Sequence, residues 1–69
     1  MSYWIVSDSD HLGGAPRIRD TRISVALVLE SLAAGMTVPQ IVDEYPSLTE
    51  EAVRGALREL AREREVEPA

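Results

Sequence analysis

The order of apolar and polar positions divides this 69-residue chain into a short apolar beginning, an arginine-rich middle and a helical remainder. Residues 3–6, Tyr-Trp-Ile-Val, are aromatic or β-branched, which is typical of a strand. A lone strand exposes unpaired backbone groups, so residues 3–6 require a second element. Residues 7–12 are polar, and we expect them to form a loop in which His11 bonds to the backbone rather than acting as a base.

Residues 13–23 are predicted to supply the second element. A glycine pair permits backbone angles that other residues avoid, and Pro16 favours an extended chain before it. Residues 17–19 alternate Arg-Ile-Arg in the manner of an edge strand, and Asp20 with Thr21 can form a turn. We expect this β element to pair with residues 3–6, either in the same chain or in a second copy.

Three helices are predicted to follow, and all three share the same start signal. Ser24, Thr37 and Thr49 are favourable N-caps, and each has apolar residues at the two positions that form a hydrophobic staple. The predicted helices cover residues 25–34, 38–45 and 50–63, with Gly35 and Pro46 ending the first two. Their inward faces are predicted to hold Val25, Val28, Leu29 and Leu32, then Val38, Ile41, Val42 and Tyr45, then Ala52, Val53, Ala56, Leu57, Leu60 and Ala61.

The pattern as a whole predicts one mainly α domain over residues 1–69. Residues 1–23 form the strand and the arginine-rich β element, residues 24–64 a three-helix bundle, and residues 65–69 a frayed tail. The second and third helices have the spacing of a helix-turn-helix motif, whose second helix begins in the DNA major groove. Here that helix begins with Thr-Glu-Glu-Ala, and its two carboxylates would repel phosphates.

Composition limits how so small a domain can be stabilised. There is no cysteine and one histidine, so disulfides are excluded and neither a metal nor another cofactor is expected. A domain of this size buries only about 60% of its unfolded surface. We therefore expect a homodimer or higher oligomer, with an interface formed by the apolar residues of the β region, Trp4, Ile5, Val6, Ile18 and Ile23.

The net charge of −5 lies in the helical part of the chain, which opposes contact with DNA and suits a basic protein. If positively charged side chains bind a partner protein or nucleic acid, Arg17, Arg19 and Arg22 are the candidates. Their alternative role is hydrogen bonding to nearby acids and carbonyls. The arginines at 54, 58 and 62 lie three or four residues from glutamates, which favours a solvated face with weak ion pairs.

Gly55 lies within the third predicted helix, between Ala52 and Ala56, and has two interpretations. It either allows another backbone to approach closely or is a neutral surface residue. No nucleophile and base lie close together along the chain, so we expect a protein that is not an enzyme. Without a signal peptide or a long apolar run, we expect a cytoplasmic protein that does not enter the membrane.

An ordered set of residues within this pattern resembles a known family, the bacterial domain of unknown function 433. That family has a glycine pair, Pro, Ile, an Arg-Gly-Thr-Arg-Ile core, an aliphatic helix, Gly, a capped helix, Tyr-Pro, Leu-Thr and a final Ala-Leu helix. The resemblance covers about residues 5–61, and Asp20 departs from it because the family has glycine there. The matching positions are Gly13, Gly14, Pro16, Ile18, Arg19, Thr21, Arg22, Ile23, Gly35, Ile41, Tyr45, Pro46, Leu48, Thr49, Ala56 and Leu57.

The resemblance implies a small β element with a helical bundle, commonly dimeric, in an antitoxin-like helix-turn-helix protein. Such proteins are often encoded beside a PIN-like nuclease toxin, which implies toxin binding and repression of the shared promoter. Arg17, Arg19 or Arg22 would then pair with carboxylates of the toxin's metal site. The alternative is a stand-alone helix-turn-helix transcriptional regulator that binds DNA through the same arginines.

Overall fold

The computed structural model describes residues 3–10 and 12–64, so the predictions for His11 and for the tail at 65–69 lie outside the described residues. A two-stranded sheet is followed by three helices, which confirms the mainly α fold with a small β element. In chain order the elements are β1 (Ile5–Val6), a single 3₁₀ turn (Leu12–Gly14), β2 (Arg17–Ile18), α1 (Val25–Ala33), α2 (Val38–Glu44) and α3 (Glu50–Arg64).

The two strands pair antiparallel within one chain. Ile5 lies opposite Ile18 and Val6 opposite Arg17. Residues 3 and 4 precede the strand proper, so β1 is shorter than predicted, although the backbone N–H of Arg19 still donates to the Trp4 carbonyl at 2.8 Å. The arginine-rich segment is therefore the partner of the N-terminal strand.

The bend after β2 depends on a residue in the left-handed conformation. Asp20 has φ 63°, a region that Asp tolerates better than most residues, so the bend expected at Asp20 and Thr21 forms without a glycine. The Thr21 hydroxyl donates to the Ile18 carbonyl at 2.8 Å and accepts from the Ile23 backbone N–H at 3.0 Å. These bonds close the bend and direct the chain into α1.

All three predicted N-caps are confirmed. The Ser24 hydroxyl accepts from the Leu27 N–H at 3.0 Å, and the Thr49 hydroxyl accepts from the Ala52 N–H at 3.1 Å. Thr37 and Gln40 form a reciprocal capping box. Gly35, at φ 97°, follows α1 as predicted, and each helix ends within one residue of its expected boundary.

The core lies where α3 packs against α2 and β2 and where α1 packs against the same two elements. Two residues predicted to point inward do not. Leu29 is 43% exposed because the buried stripe of α1 runs through Val25, Val28 and Ser31. Ala61 is exposed because the buried face of α3 is centred on Ala56, almost opposite Ala61 around the helix. The fully buried large side chains are those of Ile18, Val28, Ile41 and Val53.

Within the described residues, no helix combines the length and apolar character needed to cross a bilayer.

Candidate interaction surfaces

Arg17 is held inside the chain by two neighbouring segments. Its guanidinium donates from Nη2 to the Asp8 carboxylate at 2.9 Å and from Nη1 to the Thr21 carbonyl at 3.1 Å. The side chain is only 12% exposed, and its Nε is buried without a hydrogen-bond partner among the described residues. Arg17 therefore joins the loop after β1 to the bend after β2, and little of it is exposed to a partner.

Arg19 holds the N-terminal segment against β2 through its contacts with Tyr3. Its Nε donates to the Tyr3 carbonyl at 2.6 Å, and its guanidinium lies 4.5 Å from the centre of the Tyr3 ring. The Tyr3 ring packs edge-on against the Trp4 indole, with the ring centres 4.8 Å apart. Arg19 is half-buried as a result, so hydrogen bonding to nearby carbonyls, the alternative role considered for these arginines, is observed here.

Arg22 is exposed and makes no hydrogen bond or ion pair with the rest of the described chain. Arg17 and Arg19 therefore have internal structural contacts, and Arg22 differs from both in keeping its charge at the surface. Of the three candidate arginines, Arg22 is the one best placed to meet a phosphate or a carboxylate of another molecule.

The five residues predicted to form a dimer interface lie in different environments. Ile18 is fully buried in the core of the single chain, so its side chain presents no surface to a second copy. Trp4 is half-buried against α3, and Val6 and Ile23 are also half-buried. Ile5 lines an open groove, which keeps it accessible to a partner.

Gly55 receives the Trp4 indole. A Cβ added at Gly55 would overlap the indole at Cδ1 and Nε1, so the ring lies directly on the helix backbone. Of the two interpretations of Gly55, close approach is therefore the correct one, although the approaching group is an indole rather than another backbone. A residue with a side chain at this position would displace Trp4.

Glu59 has a role that the sequence pattern did not indicate. Its carboxylate accepts from the Trp4 backbone N–H at 2.8 and 3.0 Å and from the Ile5 N–H at 3.1 Å. Burial by itself raises the pKa of the Glu59 carboxyl, but the N–H groups of Trp4, Tyr3 and Ile5 outweigh it and hold the pKa below its usual value. Glu59 thus covers the outer edge of β1, where a strand from a second copy would otherwise add.

The signal that could have identified Glu59 is its spacing from Gly55. Positions four apart share one helix face, so a glycine that accepts a ring and a carboxylate one turn later form a single docking site for the N-terminal segment. By contrast, Arg54 and Glu50 form the weak surface ion pair that the sequence predicted, at 3.2 Å with both side chains about half exposed.

An acidic surface lies around the turn between α2 and α3. Its four carboxylates belong to the last residues of α2 and the first residues of α3, and all are exposed: Asp43, Glu44, Glu50 and Glu51. Arg54 neutralises part of this charge. Two of the acids also stabilise the start of α3 through the helix dipole. In a helix-turn-helix protein this end of the second helix meets DNA, and here it is negatively charged.

An apolar groove of about 480 Å³ lies at the N-terminal end of α1. It is bounded by Ile5, Pro16, Val25, Leu29 and Leu60, among others, and its rim includes Glu63. Among the described residues, no three His, Cys, Asp or Glu side chains are grouped as a metal ion would require.

These features define a class of protein, a small α-rich module with a two-stranded β element and a helix-turn-helix-like pair, α2 and α3. The chain belongs to the family described as protein of unknown function, DUF433, whose model matches residues 5–58. The resemblance inferred from the sequence is thereby confirmed.

One curated relative is the uncharacterized protein y4eO of Sinorhizobium fredii (strain NBRC 101917 / NGR234). It is 42% identical over 50 residues, which cover 72% of this chain and 23% of y4eO. The chain thus spans about a quarter of the length of that relative. No solved structure matches the chain.

Proposed function

We propose that this chain is an antitoxin-like interaction protein that binds a PIN-like nuclease toxin in the cytoplasm, and that its role is binding rather than catalysis. The observation that carries the proposal is the acidic surface at Asp43, Glu44, Glu50 and Glu51. It occupies the position at which a helix-turn-helix module would contact DNA, yet its charge repels phosphates and attracts a basic protein.

The arginine contacts support the same proposal. Arg17 and Arg19 are engaged within the chain, so DNA binding through all three arginines would require two of them to leave their partners. A nuclease that binds nucleic acid needs a basic surface of its own, and an acidic module suits that surface. Arg22 remains free to pair with a carboxylate at the toxin's metal site.

Co-expression tests the proposal directly. The chain is produced together with the product of the neighbouring gene, and complex formation and rescue of growth are measured. Changing Glu51→Lys or Asp43→Lys should weaken the complex about tenfold, since each reverses one charge of the acidic surface. Asp10→Lys is the matched control, because it makes the same charge change at an exposed loop residue outside that surface.

The proposal fails if no complex forms and toxicity persists. The assignment of toxin binding to the acidic surface also fails if Asp10→Lys weakens the complex as much as Glu51→Lys does. Circular dichroism of each variant separates loss of binding from loss of the fold.

A stand-alone DNA-binding regulator is the second candidate, favoured by the α2–turn–α3 arrangement and by the exposed Arg22. Fluorescence anisotropy on the chain's own promoter tests it. A regulator of this kind would show binding that falls steeply with salt and weakens in Arg22→Ala. We expect the isolated chain to bind this DNA weakly, and the complex with toxin to repress the promoter.

A further inference from the structure

A basic surface lies where the N-terminal segment meets α3. It comprises two aromatic residues and three arginines, Tyr3, Trp4, Arg19, Arg58 and Arg62. Arg58 and Arg62 are exposed, one turn apart, and neither forms an ion pair or hydrogen bond with the described residues. The weak ion pairs expected along this row of arginines are therefore absent at these two positions of the described chain. Both charges are available to another molecule.

Arg58 and Arg62 line a shallow pocket of about 180 Å³ together with the Trp4 indole, Gly55 and Glu59. The carboxylate of Glu59 already accepts from backbone N–H groups of the N-terminal segment, so it opposes the two cations less than a free acid would. Guanidinium groups bind phosphate through paired N–H donors. The pocket is smaller than the sites of about 300–1,000 Å³ that take up small molecules, so it suits a single phosphate group.

An exposed aromatic ring lies beside this pocket. Tyr3 is 58% exposed, and its ring packs edge-on against the Trp4 indole, with the ring centres 4.8 Å apart. The Arg19 guanidinium lies 4.5 Å from the centre of the Tyr3 ring and adds a third positive charge to the surface. Unpaired bases stack on exposed aromatic rings of this kind, whatever their sequence.

The combination of an exposed ring with a phosphate-sized basic pocket identifies the kind of partner. An acidic peptide would pair with the arginines but would gain little from the Tyr3 ring. A duplex keeps its bases paired and stacked, so it cannot place one on Tyr3. A single strand offers an unpaired base and a phosphate in every nucleotide, which matches both features.

We propose that the basic surface binds single-stranded nucleic acid, with a phosphate held by Arg58 and Arg62 and a neighbouring base stacked on Tyr3. Glu51 is the member of the acidic surface on the same side of α3. It precedes Arg58 by seven residues, about 10 Å along the helix axis, so salt at about 0.1 M screens most of its repulsion. This contact is separate from the acidic surface and does not depend on toxin binding.

Fluorescence anisotropy on the purified full chain tests the proposal. The probes are labelled oligouridine and oligothymidine of about ten nucleotides, and a duplex of the same length. The net charge of −5 opposes binding, so the measurement starts at low salt, about 20 mM. Both single strands should bind more tightly than the duplex. A tighter RNA strand would indicate contact with the 2′-hydroxyl, and equal affinities would indicate contact with phosphate and base alone.

Two physical signatures should accompany this binding. The logarithm of the association constant should fall with the logarithm of the salt concentration with a slope of about −2, because three arginines each contribute about −0.7 on a single strand. The emission of Trp4, the one tryptophan of the chain, should change when the pocket is filled.

Arginine variants test the pocket. Arg58→Ala or Arg62→Ala should each weaken strand binding at least about fivefold at low salt and reduce the steepness of the salt dependence by about 0.7. Arg54→Ala is the matched control, because it removes the same residue type one turn before Arg58, outside the pocket, where Glu50 already pairs with it. Its binding should stay within about twofold of wild type.

Tyrosine variants test the stacked base. Tyr3→Ala should weaken binding at least about fivefold, whereas Tyr3→Phe should retain it, because stacking requires the ring and not the hydroxyl. Circular dichroism of every variant separates loss of binding from loss of the fold.

Three results would overturn the proposal. The first is a wild-type chain that binds neither single strand at low salt. The second is equal weakening by Arg54→Ala and Arg58→Ala, which would reduce the effect to overall charge. The third is a polyglutamate peptide that binds as tightly as the strands while Tyr3→Ala loses nothing, which would assign the basic surface to an acidic protein. None of these results bears on capture of the toxin by the acidic surface.

Discussion

Gly55 makes the docking of the N-terminal segment possible. Glycine inside a helix lowers stability by up to about 1 kcal/mol relative to alanine. In return, the Trp4 indole packs directly on the α3 backbone, where a Cβ would overlap it. Burial of the Trp4 ring stabilises the fold by more than glycine destabilises the helix. Gly55 is therefore favourable only because Trp4 packs on it.

We therefore expect Gly55→Ala to destabilise the fold despite the better helix propensity of alanine. Overpacking of this kind costs about 1–3 kcal/mol, which exceeds the helix gain of up to about 1 kcal/mol. Urea unfolding measures the change in the free energy of unfolding. The emission of Trp4, the one tryptophan of the chain, should shift to longer wavelength as the ring is displaced.

The control is the same substitution in a Trp4→Ala background. Without the indole, the three atoms nearest to the new methyl group are gone, and Gly55→Ala should become stabilising through helix propensity. A substitution that destabilises both backgrounds equally would mean that the cost does not come from Trp4.

At the scale of elements, β1 is too short to be stable by its pairing with β2 alone. Two residues form the strand, and isolated two-stranded units are marginal in water. The Glu59 carboxylate supplies the outer edge with acceptors for the Trp4 and Ile5 N–H groups. The strand is therefore held on one side by β2 and on the other by α3.

This arrangement predicts a pH-dependent contribution from Glu59. Its pKa in the folded chain is below the usual value of 4.5, so the unfolded chain takes up the proton first as the pH falls. The stabilisation is therefore fully present above pH 4.5 and is lost as the pH falls through the lower, folded pKa. The difference in unfolding free energy between wild type and Glu59→Gln should be largest at neutral pH and shrink below pH 4.5.

Glu63→Gln is the matched control for this prediction, because Glu63 lies one turn further along α3 and makes no hydrogen bond to β1. Glu59→Gln should change the Trp4 emission at neutral pH, and Glu63→Gln should not. A pH-independent difference for Glu59→Gln would contradict a role for the ionised carboxylate.

The elements that the sequence predicted well are those set by local chemistry. Ser24, Thr37 and Thr49 each bond to a backbone N–H three residues away, so residue type and spacing were sufficient to locate the helix starts. The Glu59 contacts join residues more than fifty positions apart, and Leu29 faces outward because the packing of α1 centres elsewhere. The Glu59 contacts depend on where α3 meets β1, and the outward position of Leu29 depends on how α1 packs against α2 and β2, so local pattern alone did not fix either.

At the scale of the molecule, the arginine-rich segment chiefly holds other parts of the chain together. Arg17 and Arg19 hold the loop after β1, the bend after β2 and the N-terminal residues together. The sequence identified Arg17 and Arg19 as candidate binding residues. It did not show whether they bind groups of their own chain or groups of another molecule. That choice depends on tertiary contacts with Asp8 and Tyr3.

We accordingly expect Arg17→Ala and Arg22→Ala to differ in stability. Removal of the Arg17 guanidinium deprives the Thr21 carbonyl, part of a buried residue, of its donor, which costs about 1–3 kcal/mol. Arg22→Ala, at an exposed site, should stay within about 0.5 kcal/mol of wild type. Urea unfolding of both variants provides the measurement, and equal costs would contradict the assigned contacts.

The hydrogen bonds between Trp4 and Glu59, 55 positions apart, also constrain when the protein can finish folding. On a ribosome that adds about 5–20 residues per second, the first segment emerges seconds before its docking site on α3 is made. Until then the indole and the strand edge remain uncovered in the nascent chain. A product truncated before α3 would keep them uncovered permanently and would be a preferred target for proteases.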